Sequence, residues 1–100
     1  MKIRFEIEAA AELAEAVAYY DGLLSGLGSE FAAEIRGGLR RIEEHPKAWP
    51  LIEDGIRRYR LNRFPYGLVY MVHQSEIVVL AVMHLHRQPS YWKERSPRIE

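Results

Sequence analysis

The chain has no cysteine among its 100 residues. That excludes a disulfide framework and every thiolate metal site, and it suits a reducing cytosol. Net charge is missing too, since fourteen Lys and Arg balance fourteen Asp and Glu. A neutral total excludes a surface that is basic all over, as a general nucleic-acid binder would need. No apolar run approaches the ~20 residues that cross a bilayer. The opening MKIRFEIE lacks the apolar core of a secretory signal, so a cytoplasmic protein without membrane contact is expected. Also absent are a glycine-rich phosphate loop, a nucleophile elbow and an H-E-x-x-H pair.

What is present describes an ordinary globular chain, 48% hydrophobic and 28% charged. Its length suits one domain, expected to span residues 1–100. The charge is unevenly placed. Residues 1–50 carry six Lys and Arg against nine Asp and Glu, and residues 51–100 carry eight against five. The positive field therefore belongs to the C-terminal half.

Periodicity sets the elements. Lys2 to Glu8 alternates, with Ile3, Phe5 and Ile7 on one face, and predicts a half-buried strand. From Ala9 to Leu24 the period changes, and Leu13, Val17, Tyr20 and Leu24 form one helical stripe. Ser25-Gly26-Leu27-Gly28 reads as a tight turn between helices. A second helix is expected from Ser29 to Glu44, with Phe31, Ile35, Leu39 and Ile42 as its stripe, stopped by Pro46. Gly37-Gly38 in its middle costs about 1 kcal/mol per glycine against alanine. It reads either as a close backbone approach or as a tolerated weak spot. His45 to Gly55 reads as a loop held by Trp49 and Leu51.

Three strands are then expected, Ile56 to Leu61, Tyr66 to Val72 and Ile77 to Leu85. The last, IVVLAVMHL, is apolar and β-branched and reads as a central strand buried on both faces. The polar link His73-Gln74-Ser75-Glu76 predicts a hairpin. The order is β-α-α-β-β-β, a two-layer α+β domain with a helical hairpin on one face of a mainly antiparallel four-stranded sheet. The tail from Trp92 frays or forms one helical turn.

One constellation carries chemistry. Alternation puts Arg58 and Arg60 on one face of their strand, and Arg57, Tyr59 and Leu61 on the other. Arg63 follows in the connection. His84 and His86 share a face at the end of the central strand, with Arg87 next and Tyr91 just beyond. Arg58, Arg60, His84, Arg87 and Tyr91 are expected to converge on one concave end of the sheet, with Arg57, Arg63 and His86 as substrate contacts. Metal-free RNA cleavage needs a base, cations for the pentavalent phosphate and an acid. Arginine suits the second role, and histidine or a perturbed tyrosine the others. The plainer reading makes the arginines solvated strand residues, His84 a hydrogen-bonded core histidine and Tyr91-Trp92 an anchor. No cysteine or carboxylate cluster completes a metal site with the two histidines, so no metal or cofactor is expected. Glu12, Glu15, Glu43 and Glu44 read as surface charge. Tyr19-Tyr20 and Phe64-Pro65-Tyr66 read as core and turn.

Several stretches resemble toxins of the RelE/ParE superfamily, from type II toxin–antitoxin (plasmid-stabilisation) modules. They are the A-x-x-E-L-x-E-A-x-x-Y-Y pattern of Ala9 to Tyr20, the Gly26-Leu27-Gly28 turn, Arg60 to Tyr70 (RLNRFPYGLVY) and Ala81 to Trp92 (AVMHLHRQPSYW). The resemblance implies growth arrest, relieved by a cognate antitoxin in a hetero-oligomer. It also implies an apolar groove and a basic patch for that antitoxin, with Gly37-Gly38 as a place of close approach. The superfamily divides between ribosome-dependent mRNA endonucleases and inhibitors of DNA gyrase. Arg58, Arg60, Arg87 and Tyr91 occupy places comparable to the nuclease residues, so a metal-independent, ribosome-dependent mRNA endonuclease is the first expectation and gyrase inhibition without catalysis the alternative. The neutral charge, and the absence of lysine between Lys47 and Lys93, favour gyrase or another protein target. A degenerate toxin that only binds antitoxin is the third reading.

Overall fold

Strand β5 (Glu76–His84) has the most apolar surface to hide, and every residue from Ile77 to Met83 is buried. It therefore sits inside the sheet rather than at an edge. The computed structural model describes residues 1–87 and 90–95. Its other strands are β1 (Lys2–Phe5), β2 (Leu51–Glu53), β3 (Ile56–Arg60) and β4 (Tyr66–His73), and the sheet order is β1-β5-β4-β3-β2. β1 runs parallel to β5 and the other pairs are antiparallel. The fold is α+β, as expected, but the sheet is mixed and five-stranded rather than mainly antiparallel and four-stranded. The extra strand, β2, lies inside the stretch expected to be a loop. Its 3 residues are too few for alternation to declare itself.

The first strand is shorter than its alternation suggests. Glu6 is its last tie to the sheet, donating its backbone N–H to Val79 O at 3.0 Å. Its carbonyl accepts from Ala10 N–H and so starts helix α1 (Ile7–Leu23). Ile7 is consequently 75% exposed instead of sharing a buried face with Ile3 and Phe5. Glu6 itself is buried, with its carboxylate 3.0 Å from Arg4 Nη1.

α1 and α2 (Leu27–Glu44) form the expected hairpin over one face. Phe31, Ile35 and Ile42 are buried as their stripe predicts. On α1 the innermost residues are Ala9 and Ala16; Leu13, Val17 and Tyr20 flank them, and Leu24 is an exposed C-cap. Small side chains bring this helix close to its neighbours. The closest approach is Gly28, where a Cβ would lie 2.5 Å from Val17 O. The turn before it uses Gly26 at φ 92°, and Asp21 Oδ1 accepts from the N–H groups of Gly26 and Gly28. Gly38 has a packing reason of its own, since a Cβ would meet the Tyr59 ring at 2.7 Å. It is neither a weak spot nor open to a partner. Its partner in close approach is strand β3.

Val69, Val78, Leu80, Ala81 and Met83 point to the opposite face of the sheet. No helix pair covers them. Instead a single 3-10 turn (Tyr91–Glu94) lays Trp92 against them, only 2% exposed, and Lys93 reaches Glu53 at 2.8 Å. The tail thus forms one helical turn that is part of the core. Residues 96–100 of the expected tail lie outside the described residues. No helix among the described residues is long and apolar enough to cross a membrane.

Two glycine substitutions test this packing in opposite directions. Gly28→Ala forces a Cβ into a backbone oxygen and is expected to cost about 2 kcal/mol. Gly22→Ala, with nothing within 4 Å of the new Cβ, is expected to stabilise by up to about 1 kcal/mol. Urea midpoints, at unchanged slope, check both.

Candidate functional site

The register separates residues that the sequence groups together. Arg58 pairs with Val69, and Arg60 with Gly67. Tyr59 between them belongs to the helix-side core with Leu68 and Val82. Alternation therefore puts Arg58 and Arg60 on the face away from the helices. Gly67 has a local reason there. A Cβ would stand 3.1 Å from Arg58 Cγ, so the bare glycine lets the Arg58 stem cross β4. Neither arginine has an ion pair or side-chain hydrogen bond among the described residues.

His84 lies at the same end of the sheet but on the other face. It pairs with Tyr66, its ring 5.0 Å from that ring, and it lines a cleft of about 240 Å³ with Glu12, Glu15 and Tyr19 of α1 and with Arg87. Its Nδ1 accepts from the backbone N–H of His86 at 3.1 Å, and the His86 ring is 5.2 Å away. Arg57, on the helix side, donates to Lys47 O and Trp49 O at 3.1 and 2.7 Å and so fastens the loop before β2. Arg63 pairs with Glu30 of α2 at 2.7 Å. The expected single constellation is thus two separate groups, with Arg57 and Arg63 engaged elsewhere.

The second group is organised by Glu12, which reads in the sequence as surface charge. Its side chain is only 12% exposed. Oε1 accepts from Val82 N–H and Arg95 Nη1, each at 2.9 Å. Oε2 accepts from the Tyr91 hydroxyl at 2.7 Å and Arg95 Nη2 at 3.0 Å, with Arg87 Nη1 3.7 Å away. Arg95 also donates to Leu80 O at 3.3 Å. Tyr91 lies between two guanidiniums, Arg87 at 3.9 Å and Arg95 at 4.8 Å from its ring centroid. Sequence reasoning missed Glu12 and Arg95. The available signal was that Glu12 sits on the same helical face as Ala9 and Ala16, the buried positions of α1.

This geometry limits the chemistry. Burial raises the Tyr91 hydroxyl pKa, and its hydrogen bond to Glu12 and that carboxylate's charge raise it further. Tyr91 is therefore a neutral donor at physiological pH, fixed on Glu12, and not a base. The Arg95 guanidinium is held charged by its bonds to the same carboxylate. Arg58 and Arg60 can bind an anion, but His84 is across the sheet from them. Among the described residues no group of three or more His, Asp or Glu is arranged to hold a metal ion.

Fold and site together define a class: a small two-layer α+β protein that presents open surfaces of fixed charge around a committed internal carboxylate. The model of the ParE toxin of type II toxin–antitoxin systems, parDE, matches residues 3–89. The chain belongs to that family, within the RelE/ParE superfamily of toxins. A solved structure described as the chromosomal ParDE TA system from P. aeruginosa is similar, with 20% identity and a TM-score of 0.75. The match covers 86% of this chain and 97% of that one, and at this identity the likeness is one of fold. No curated protein matches the chain.

Two predictions follow from the cluster. Glu12→Ala leaves Arg95, Val82 N–H and the Tyr91 hydroxyl without their acceptor and is expected to cost about 3 kcal/mol, measured by urea unfolding. The second concerns alkaline pH. Burial pushes Tyr70, whose hydroxyl donates to Pro46 O, up to about 12. Tyr70 and Tyr91 thus keep their protons in the folded chain to higher pH than in the unfolded one. Their stabilisation is complete below about pH 10 and is lost as pH rises through the folded values, at about 1.4 kcal/mol per unit for each group. Tyr70→Phe should flatten the fall in stability between about pH 10 and pH 12, relative to the parent chain.

Proposed function

We propose that this chain is the toxin of a type II toxin–antitoxin pair, that it arrests growth by binding DNA gyrase in the cytoplasm, and that a cognate antitoxin neutralises it in a hetero-oligomer. The observation that carries the choice of target is the state of Tyr91. Its hydroxyl is committed to Glu12 and its pKa is raised. A metal-free ribonuclease site needs a base within hydrogen-bond reach of the 2′-hydroxyl and an acid within reach of the leaving oxygen of the phosphate that its cations hold. His84 lies on the opposite face from Arg58 and Arg60, and Tyr91, whose ring packs on their face, has its hydroxyl bonded to Glu12. A protein-binding poison needs only accessible charge, and the half-buried Arg58 and the exposed Arg60 supply it on the face that holds the partly buried Ile52 and Met71. We assign Arg58 and Arg60 to target contact on this ground.

The neutralising partner has a suitable surface elsewhere. The outer face of α1 is apolar, with Ala10, Ala14 and Ala18 around a groove of about 560 Å³ that reaches Leu13, Val17 and Ser29. Tyr19, Leu23 and Leu24 stand 60–63% exposed beside it. An amphipathic antitoxin segment would bury this face, in the helix-in-groove manner. Membership of the ParE family and the likeness to a ParDE system support the pairing.

The nuclease reading keeps one observation in its favour, the Arg58 stem laid over Gly67 with its guanidinium unpaired, as a phosphate ligand would be. Two assays separate the readings. Purified toxin is expected to inhibit gyrase supercoiling, and mRNA 5′ ends mapped after induction are expected to be unchanged. Arg58→Ala with Arg60→Ala should weaken the inhibition roughly tenfold, about 1.4 kcal/mol. New 5′ ends inside translated codons would overturn the gyrase reading. No inhibition of supercoiling and no new 5′ ends, with antitoxin still bound, is the result for a chain that retains only antitoxin binding.

A further inference from the structure

The cleft of about 240 Å³ beside His84 takes its walls from both layers of the fold. Helix α1 supplies Glu12, Glu15 and Tyr19, whose spacing puts them on one side of the helix. The sheet supplies Tyr66 and His84, which are cross-strand partners in β4 and β5. Their rings meet edge to face at 5.0 Å, and Tyr20 supports the Tyr66 ring at 6.1 Å. Two aromatic walls are thus held by the core, and Tyr19 and Glu15 face them from the helix.

The charges around the cleft are unequally engaged. Each Glu12 oxygen already accepts two bonds, from Val82 and Arg95 or from Tyr91 and Arg95. Arg87 lies over the Tyr91 ring at 3.9 Å and 3.7 Å from Glu12, so its charge is directed at that pair. Glu15 is exposed and has no ion pair or hydrogen bond among the described residues. The Tyr19 and Tyr66 hydroxyls have no hydrogen bond among them either. His84 accepts the His86 N–H at Nδ1, a role that an uncharged ring fills. Tyr66 shows the sign of the resulting field. Burial is the largest cause of its raised pKa, the neighbouring tyrosines come next, and the carboxylates of Glu12 and Glu15 raise it further.

We propose that this cleft binds an alkylammonium group, with its charge against Glu15, its N–H donors on the Tyr19 and Tyr66 hydroxyl oxygens, and its methylenes against the rings of Tyr66 and His84. Hydrogen bonds from a cation to a carboxylate are strong, and tyrosine rings attract a cation over their faces. An anion is disfavoured by the two carboxylates. A metal ion is disfavoured as well, because both Glu12 oxygens are filled and a hard cation takes about six oxygen ligands. A lysine side chain of a polypeptide and a free aliphatic diamine both carry the required group. The inference goes beyond the gyrase reading and does not depend on it.

The test is an NMR titration of the full chain with n-butylamine at neutral pH, where it is the ammonium ion, with n-butanol as the uncharged control. The ammonium ion is expected to give saturable shifts confined to Glu15, Tyr19, Tyr66, His84 and their neighbours, and n-butanol none. Glu15→Gln should weaken binding roughly fivefold at an unchanged thermal midpoint, since Glu15 is exposed. Tyr19→Leu should weaken it roughly threefold. Nα-acetyl-lysine methylamide and putrescine then identify the source. Tighter binding of the first assigns a polypeptide lysine, and tighter binding of the second a free diamine. No localised response to the ammonium ion, an equal response to n-butanol, or undiminished binding by Glu15→Gln would each overturn the proposal.

Discussion

The structure depends on one carboxylate at an unfinished strand edge. β1 stops at Phe5, opposite Val79, while β5 continues to His84. Beyond that point Val82 N–H and Leu80 C=O have no strand to meet, and an open edge invites pairing with another chain. Glu12 and Arg95 supply the missing acceptor and donor from their side chains. Because the two also bond each other, and because Glu12 accepts the Tyr91 hydroxyl, the same contact seats the C-terminal turn. Trp92 then covers a face that, among the described residues, neither α1 nor α2 covers. An ion pair this deep gains little over an apolar pair of the same shape, but removing one member leaves the other stranded.

That arrangement governs what the protein can do. Tyr91 and Arg87 look like catalytic residues by their place in the chain, and the fold uses them to close itself. Arg87 stacks on Tyr91 and leans toward Glu12; Tyr91 is a donor with a raised pKa. Arg58 and Arg60, on the face away from the helices and without ion pairs among the described residues, remain available for contact. Side-chain alternation on β3 and β5 is what divides them from His84, since Tyr59 and Val82 both turn to the helices. The molecule presents two such surfaces, one apolar on α1 and one basic on β3.

Much of this was legible in the sequence. The β-branched run of β5 marked an interior strand, although β4 is the middle one, the spacing of Phe31, Ile35 and Ile42 marked the inner face of α2, and the alternation of Arg58, Tyr59 and Arg60 gave their faces correctly. What failed was convergence in space. Alternation says which side of a strand a residue takes, but not which side of the sheet two strands share, and that depended on a register shift at β5. Tyr70 pairs with Val79 and Val69 with Ala81, leaving Leu80 as an extra residue between them. Glu12 was misread because a charged residue among alanines looks like a solvated position until Arg95, eighty-three residues away, is placed beside it. The Gly37-Gly38 pair looked like one feature, and only coordinates separate the glycine that receives Tyr59 from the one that does not.

The most direct measurement is growth arrest on induction of Tyr91→Phe without antitoxin, with the variant's stability measured alongside. Phenylalanine keeps the ring between Arg87 and Arg95 and removes only the hydroxyl. That hydroxyl is bonded to Glu12, and gyrase binding asks no reaction of it, so full arrest by a folded variant is predicted. A variant within about 1 kcal/mol of the parent in stability that no longer arrests growth would contradict it, and would return Tyr91 to the chemistry of the site.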